Sequence, residues 1–164
     1  MKAKLTEKGS LYWFCVVRNM LVWWKGSGAG NFYTSEHELI IFCTEDARFA
    51  RKGARNVIQC AGFAQGAKKE DGEKVHPTQK PARLIRRLIC DATSEGDNVL
   101  DPFMGSGTTG VSSVQTARNF YGIELQHKYY EIAEGRIKDA EAREKEKLFL
   151  ETYNPRRAHG VECT

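Results

Sequence analysis

The chain has 164 residues, 41% of them hydrophobic and 28% charged, which suits one domain with its own core and a polar surface. Lys+Arg 25 against Asp+Glu 21 leaves a formal charge of +4, a tilt toward anionic partners that does not by itself identify nucleic acid. No run approaches the roughly 18 apolar residues of a membrane span, Met1-Lys2-Ala3-Lys4 lacks the apolar centre of a signal peptide, and five scattered cysteines encode neither a disulfide framework nor a zinc knuckle. The expectation is a cytoplasmic protein in a reduced setting, with no membrane and no metal partner.

In chain order, Gly9-Ser10 opens the aromatic and β-branched run Leu11-Tyr12-Trp13-Phe14-Cys15-Val16-Val17, which reads as a buried strand. Asn19-Met20-Leu21-Val22-Trp23-Trp24 reads as a second. The glycine-rich loop Lys25-Gly26-Ser27-Gly28-Ala29-Gly30-Asn31 separates it from a third, Glu38-Leu39-Ile40-Ile41-Phe42-Cys43. From Thr44 to Val75 periodicity fades into surface loops, with cations at Arg48, Arg51, Lys52 and Arg55. Thr78 can cap a helix whose apolar positions Leu84, Ile85, Leu88, Ile89 and Ala92 keep the 3.6-residue repeat, with Pro81 in its first turn and Gly96 as its stop. Asn98 to Asp101 reads as a strand, Thr108 to Ala117 as a helix and Asn119 to Glu124 as a strand, together a βαβ unit. Tyr129 to about Leu150 is a long charged helix, and Asn154-Pro155 begins a polar tail.

The informative segment is Asp101-Pro102-Phe103-Met104-Gly105-Ser106-Gly107-Thr108-Thr109-Gly110, between a strand and a helix. Glycines let the backbone turn tightly and a ligand approach it, while the following helix offers free N–H groups. A phosphate-binding P-loop needs a lysine after its last glycine, and Thr108 stands there instead. The spacing G-x-G-x-x-G with Glu124 downstream keeps dinucleotide binding as a rival, and with it a nicotinamide-dependent oxidoreductase. An acid beside the loop suits a cationic amino group better than a pyrophosphate. S-adenosylmethionine carries such a group and a ribose diol, matching Asp101 or the loop backbone for the first and Glu124 for the second. The bland alternative is a glycine turn that merely closes the βαβ unit.

His76-Pro77-Thr78-Gln79-Lys80-Pro81 forms a second constellation. It is a proline-stiffened turn in isolation, but a Lys and a Thr hydroxyl at a helix N-terminus would also receive a carboxylate. Trp13, Trp23 and Trp24 could stack on bases, yet their strand-like context points to the core. His37-Glu38 opens like a zinc-protease motif, but Ile41 stands where its second histidine belongs.

Taken together, the 76–81 turn, the 101–109 loop and Gly122-Ile123-Glu124-Leu125 resemble the DNA amino-methyltransferases that modify adenine N6 or cytosine N4, in the permuted order with the cofactor half at the C-terminus. The resemblance runs from about Gly9 to Ile137. It implies a Rossmann-like α/β fold, with a mostly parallel sheet, helices on both faces and an incomplete N-terminal side. It also implies S-adenosylmethionine as cofactor, DNA as partner and, within a restriction-modification system, methyl transfer to an exocyclic amino group, adenine before cytosine. By resemblance His76, Thr78, Lys80, Asp101, Phe103, Gly105, Ser106, Gly107, Thr108 and Glu124 line the cofactor pocket, and Arg48, Arg51, Lys52 and Arg55 face DNA, the alternative for these four being a solvated basic loop. Residues 1–150 would form one domain, strand-rich over 9–43, DNA-contacting over 44–75 and cofactor-binding over 76–137, with 151–164 a tail.

The family's acceptor motif, Asp/Asn/Ser-Pro-Pro followed by an aromatic residue, orients the base amino group and stacks on the flipped base. Pro77, Pro81, Pro102 and Pro155 are the chain's four prolines, no two adjacent. The motif is absent, so no residue here is assigned as catalytic. The link from Phe14 to Asn19 is also short where relatives carry a helix. The expectation is a truncated or split enzyme completed by a second polypeptide or a homodimer, or else an inert cofactor- or DNA-binding module. A cytosine-C5 enzyme is excluded because no cysteine follows a proline.

Overall fold

The computed structural model describes residues 3–5, 11–13, 16–26, 28, 31–44, 53–62, 75–76 and 78–153. Arg48, Arg51 and Lys52 lie outside them, as does the tail beyond 153. The described strands are β1 (Ala3–Leu5), β2 (Leu11–Trp13), β3 (Val17–Trp24), β4 (His37–Cys43), β5 (Val57–Gln59), β6 (Asn98–Asp101) and β7 (Asn119–Gly122). The helices are α1 (Ala82–Ala92), α2 (Thr108–Gln115) and α3 (His127–Tyr153).

Three sheets result: an antiparallel β1–β2 pair, a β4–β3–β5 sheet and a parallel β6–β7 pair. In the middle one, β3 runs antiparallel to β4 and parallel to β5. Strand β5 falls inside the stretch expected to be all loop. Its three residues are too few to show alternation, and Ile58 earns its place by tertiary contact, packing with Trp23, Cys60 and Leu84 of α1.

Helix α1 begins later than expected. Pro81 is its N-cap residue with extended backbone (φ −61°, ψ 135°) and there is no side-chain cap, because a residue before proline is pushed out of helical geometry and Lys80 precedes Pro81. Thr78 is therefore not the cap; its hydroxyl meets Nδ1 of His76 at 3.1 Å. The helix ends at Ala92, and Gly96 (φ +80°) serves the turn into β6 instead.

Helix α2 packs between α1 and α3. Its inner residues are small: Ser112 and Ser113 are fully buried; the Ser113 hydroxyl donates to the Thr109 carbonyl within the helix and the Thr116 hydroxyl to that of Ser112, whereas the Ser112 hydroxyl donates across to the Ala82 carbonyl of α1 at 3.4 Å. At Gly110 a Cβ would collide with Ile137 of α3 and Phe120 of β7, so the close approach depends on glycine. Among the described cysteines Cys43 and Cys60 are free thiols, while Cys90 is disulfide-bonded, a bridge that the scattered spacing did not announce.

Candidate functional site

Strand β6 delivers Asp101 to the sheet's carboxyl end, where two of its neighbours fix the loop. Asp101 Oδ1 accepts from the Phe103 amide at 3.0 Å and Oδ2 from the Thr109 hydroxyl at 2.6 Å. The loop then closes through the Gly107 amide on the Met104 carbonyl, 2.8 Å, while the Met104 amide reaches Ile123 past the end of β7, 3.0 Å. Gly105 (φ +51°) and Gly107 (φ +78°) take left-handed backbone that side chains rarely adopt. Glu124 sits beneath this bend: one oxygen accepts from the Gly105 amide at 3.0 Å, the other from the Gln126 amide at 2.8 Å.

The 76–80 turn faces that loop. His76 meets the ring of Tyr129 edge-on at 4.2 Å, and its Nδ1 accepts from the Thr78 amide at 3.2 Å. Between the two segments lies a cavity of about 370 Å³ lined by His76, Thr78, Gln79, Lys80, Ile85, Asp101, Phe103, Met104, Gly105, Ser106, Thr108 and Thr109. Eight of the ten expected cofactor residues are thus brought together. Gly107 is not in the lining; it is the N-cap of α2, and a Cβ there would lie 2.8 Å from that of Ala133. Glu124 is one step removed, holding the Gly105 amide.

Gln79, Ile85, Met104 and Thr109 join the lining without having been singled out. Gln79 and Thr109 sat inside the quoted motifs, and Ile85 on the apolar face of α1, so position alone could have found them. Two atoms in this wall point to a polar guest: Gln79 Nε2 and Thr108 Oγ1 are buried with no hydrogen-bond partner among the described residues. Buried polar groups are paired in the great majority of cases, and a ligand with acceptor and hydroxyl groups would satisfy both.

Lys80 extends along the same wall and donates to Glu38 Oε2 of β4 at 2.8 Å. Burial pulls the Glu38 carboxyl upward, but the Lys80 and Lys25 ammoniums outweigh it and hold it below its ordinary value. Trp23 is buried at 4% exposure and donates from Nε1 to the Cys60 carbonyl, so it is a core residue, whereas Trp24 stands on the outer face. Of the cations expected to meet DNA, the described one, Arg55, is exposed beside Arg18 at a second cavity of about 420 Å³ that shares no lining residue with the first.

A strand, an acid-led glycine bend and a helix, with a facing lysine turn, define a Rossmann-like methyltransferase fold. The "DNA methylase" family of adenine-N6 and cytosine-N4 enzymes matches residues 13–135, and the chain belongs to that family. It is 32% identical over 143 residues to the type II methyltransferase M.HinfI of Haemophilus influenzae, covering 75% of this chain and 40% of the relative. With the type II methyltransferase M2.DpnII of Streptococcus pneumoniae it shares 35% identity over 136 residues, 74% of this chain and 51% of the other. The crystal structure of an M1.HpyAVI–SAM complex superposes with a TM-score of 0.60 at 30% identity, covering 75% of this chain and 63% of that one. The chain thus spans about half the length of the curated relatives it matches.

Proposed function

We propose that this chain is the cofactor-binding part of a DNA amino-methyltransferase, in which residues 76–137 hold S-adenosylmethionine beside an exocyclic amino group of DNA, adenine N6 before cytosine N4. The observation that carries this reading is the convergence of the lysine turn and the acid-led loop on one cleft whose buried Gln79 Nε2 and Thr108 Oγ1 lack partners among the described residues.

The residues present suit the group. Lys80 offers an ammonium to its carboxylate, and Gln79 adds an uncommitted amide donor beside it. Asp101 is an acceptor for its amino group; each carboxylate oxygen has a second lone pair beyond the bond already described. Glu124, one step behind the lining, is proposed to accept from a ribose diol with its remaining lone pairs, and the Phe103 ring, 87% exposed at the rim, offers an apolar surface for a nucleobase. When bound, the cofactor supplies an electrophilic sulfonium methyl, and the transfer needs no covalent enzyme intermediate. What these residues contribute is orientation and neutralisation of the amino-acid end.

Holding the acceptor nitrogen falls to a paired-proline motif that these 164 residues do not contain, and we assign that task to polypeptide outside them, in the same protein or in a second subunit. Arg48, Arg51, Lys52 and Arg55 are proposed to meet DNA phosphates, in the cytoplasm. The missing motif also favours a second reading, an inert cofactor-binding module.

Calorimetric titration with S-adenosylhomocysteine and with NAD tests the cleft: binding of the first supports the proposal, and binding of NAD alone overturns it in favour of an oxidoreductase. Transfer of a tritiated methyl to unmethylated DNA, with and without a motif-bearing polypeptide, then separates a split enzyme from an inert module.

A further inference from the structure

Lys25, Glu38 and Lys80, from three separate stretches of chain, converge over one indole ring. Glu38 is the direct partner of Trp23 in the β3–β4 register. Its Oε2 accepts from Lys80 at 2.8 Å, and its Oε1 lies 3.6 Å from the Lys25 ammonium. Both ammoniums stand over the Trp23 ring, Lys80 at 5.6 Å and Lys25 at 5.9 Å from its centroid. Two cations share one carboxylate, so the cluster carries one surplus positive charge. Only Lys80 of the three lines the cleft.

We propose that Glu38 competes with a ligand carboxylate for Lys80 at the cleft wall and, when the ligand takes Lys80, transfers its ion pair to Lys25. The inference rests on the reading of the cleft as a site for an adenosyl amino acid. A ligand carboxylate on Lys80 would face Glu38 at close range, and two like charges there disfavour one another. Glu38 need not leave: Lys25 is already 3.6 Å away, and its side chain is 18% exposed against 43% for Lys80, so the pair formed there is the less screened. The indole keeps both ammoniums in place through cation–π attraction, so the exchange requires a turn of one carboxylate and no movement of the loop. After it, two cations face two carboxylates and the surplus charge is gone. The cluster therefore selects for the carboxylate of the ligand while leaving the nucleoside end untouched.

The test compares S-adenosylhomocysteine with its decarboxylated analogue, which keeps the amino group, thioether and adenosine. Calorimetry is run on the full chain and on Glu38→Gln, Lys25→Met and the double variant, each checked by circular dichroism for a native melt. Glu38→Gln should tighten S-adenosylhomocysteine about three- to tenfold and Lys25→Met weaken it by a similar factor, the range of one partly exposed charge pair. The analogue should be unmoved in every variant. The double variant should bind as Glu38→Gln does, because Lys25 acts only through Glu38. A ratio of the two affinities that stays constant, a shift shared by both ligands, or a Lys25→Met penalty that persists without Glu38 overturns the proposal. If the unmodified chain binds neither ligand, the cleft reading itself falls and takes this one with it; binding with a constant ratio removes only the transfer.

Discussion

At the end of β6, Asp101 commits one oxygen to the Phe103 amide and the other to the Thr109 hydroxyl, so it shapes the loop that it also serves. Asp101→Ala should weaken S-adenosylhomocysteine by about 1–3 kcal/mol, the worth of a charge-assisted bond together with the donors it strands. Asp101→Asn keeps an acceptor for the Phe103 amide and should recover part of the loss; titration of both variants checks this. Equal affinities in wild type and the alanine variant would remove Asp101 from the site. Glu38 gives a second expectation at this scale. Its folded carboxyl lies below its ordinary value of 4.5, so the stabilisation from its lysine partners is present above about that pH and is lost as pH falls through the lower folded value. The pair is partly exposed and worth less than about 1 kcal/mol. The melting temperature of wild type should exceed that of Glu38→Gln at pH 7, and the gap should close as the pH is lowered from 4.5 through the depressed folded value of Glu38.

At the level of elements, the βαβ unit was legible because each part carries a local signal: a β-branched strand, glycines at the bend and an acid after the second strand. Where the signals were tertiary, reading failed. Nothing in Val57-Ile58-Gln59 distinguishes a strand from a loop until Trp23 and Leu84 are placed against Ile58, and the N-terminus of α1 was set by the proline's constraint on Lys80 rather than by Thr78. The cleft was readable in ten residues, of which eight meet in its lining, because the chemistry lives in contiguous motifs. The Glu38 connection was not, since it crosses 42 positions in sequence. Gly107 marks the difference, within one motif, between a glycine that lines the cleft and one that packs against a helix. Gly107→Ala imposes left-handed backbone on a side chain, about 1–2 kcal/mol, and drives its Cβ to 2.8 Å from that of Ala133. Urea unfolding should show a loss beyond 2 kcal/mol, while Gly26→Ala, also at positive φ (+89°) but in open space, should show the backbone part alone.

On the scale of the molecule, among the described residues helix α1 covers one face of the β4–β3–β5 sheet and the other face carries exposed apolar side chains. Leu21, Trp23, Ile40 and Ile58 pack toward Leu84 and Leu88 of α1. The alternate residues point away, and register sets them side by side: Met20 against Ile41, and Val22 between Leu39 and Val57. Leu39 is 57% and Ile41 66% exposed. The β6–β7 pair repeats the pattern, with Leu100 opposite Tyr121 and both exposed. Strands in parallel sheets are ordinarily covered on both faces, and contiguous exposed apolar rows of this kind mark surfaces that associate. The 164 residues on their own should therefore bind a hydrophobic dye such as anilinonaphthalene sulfonate at neutral pH. Leu39→Lys with Ile41→Lys should cut that signal, since both side chains are already at the surface and introduce no buried charge. S-adenosylhomocysteine affinity should be unchanged, because neither residue lines the cleft and the two stand on the face of β4 opposite to Glu38. Undiminished dye fluorescence in the double variant would mean that this face is covered in solution and that the association surface lies elsewhere.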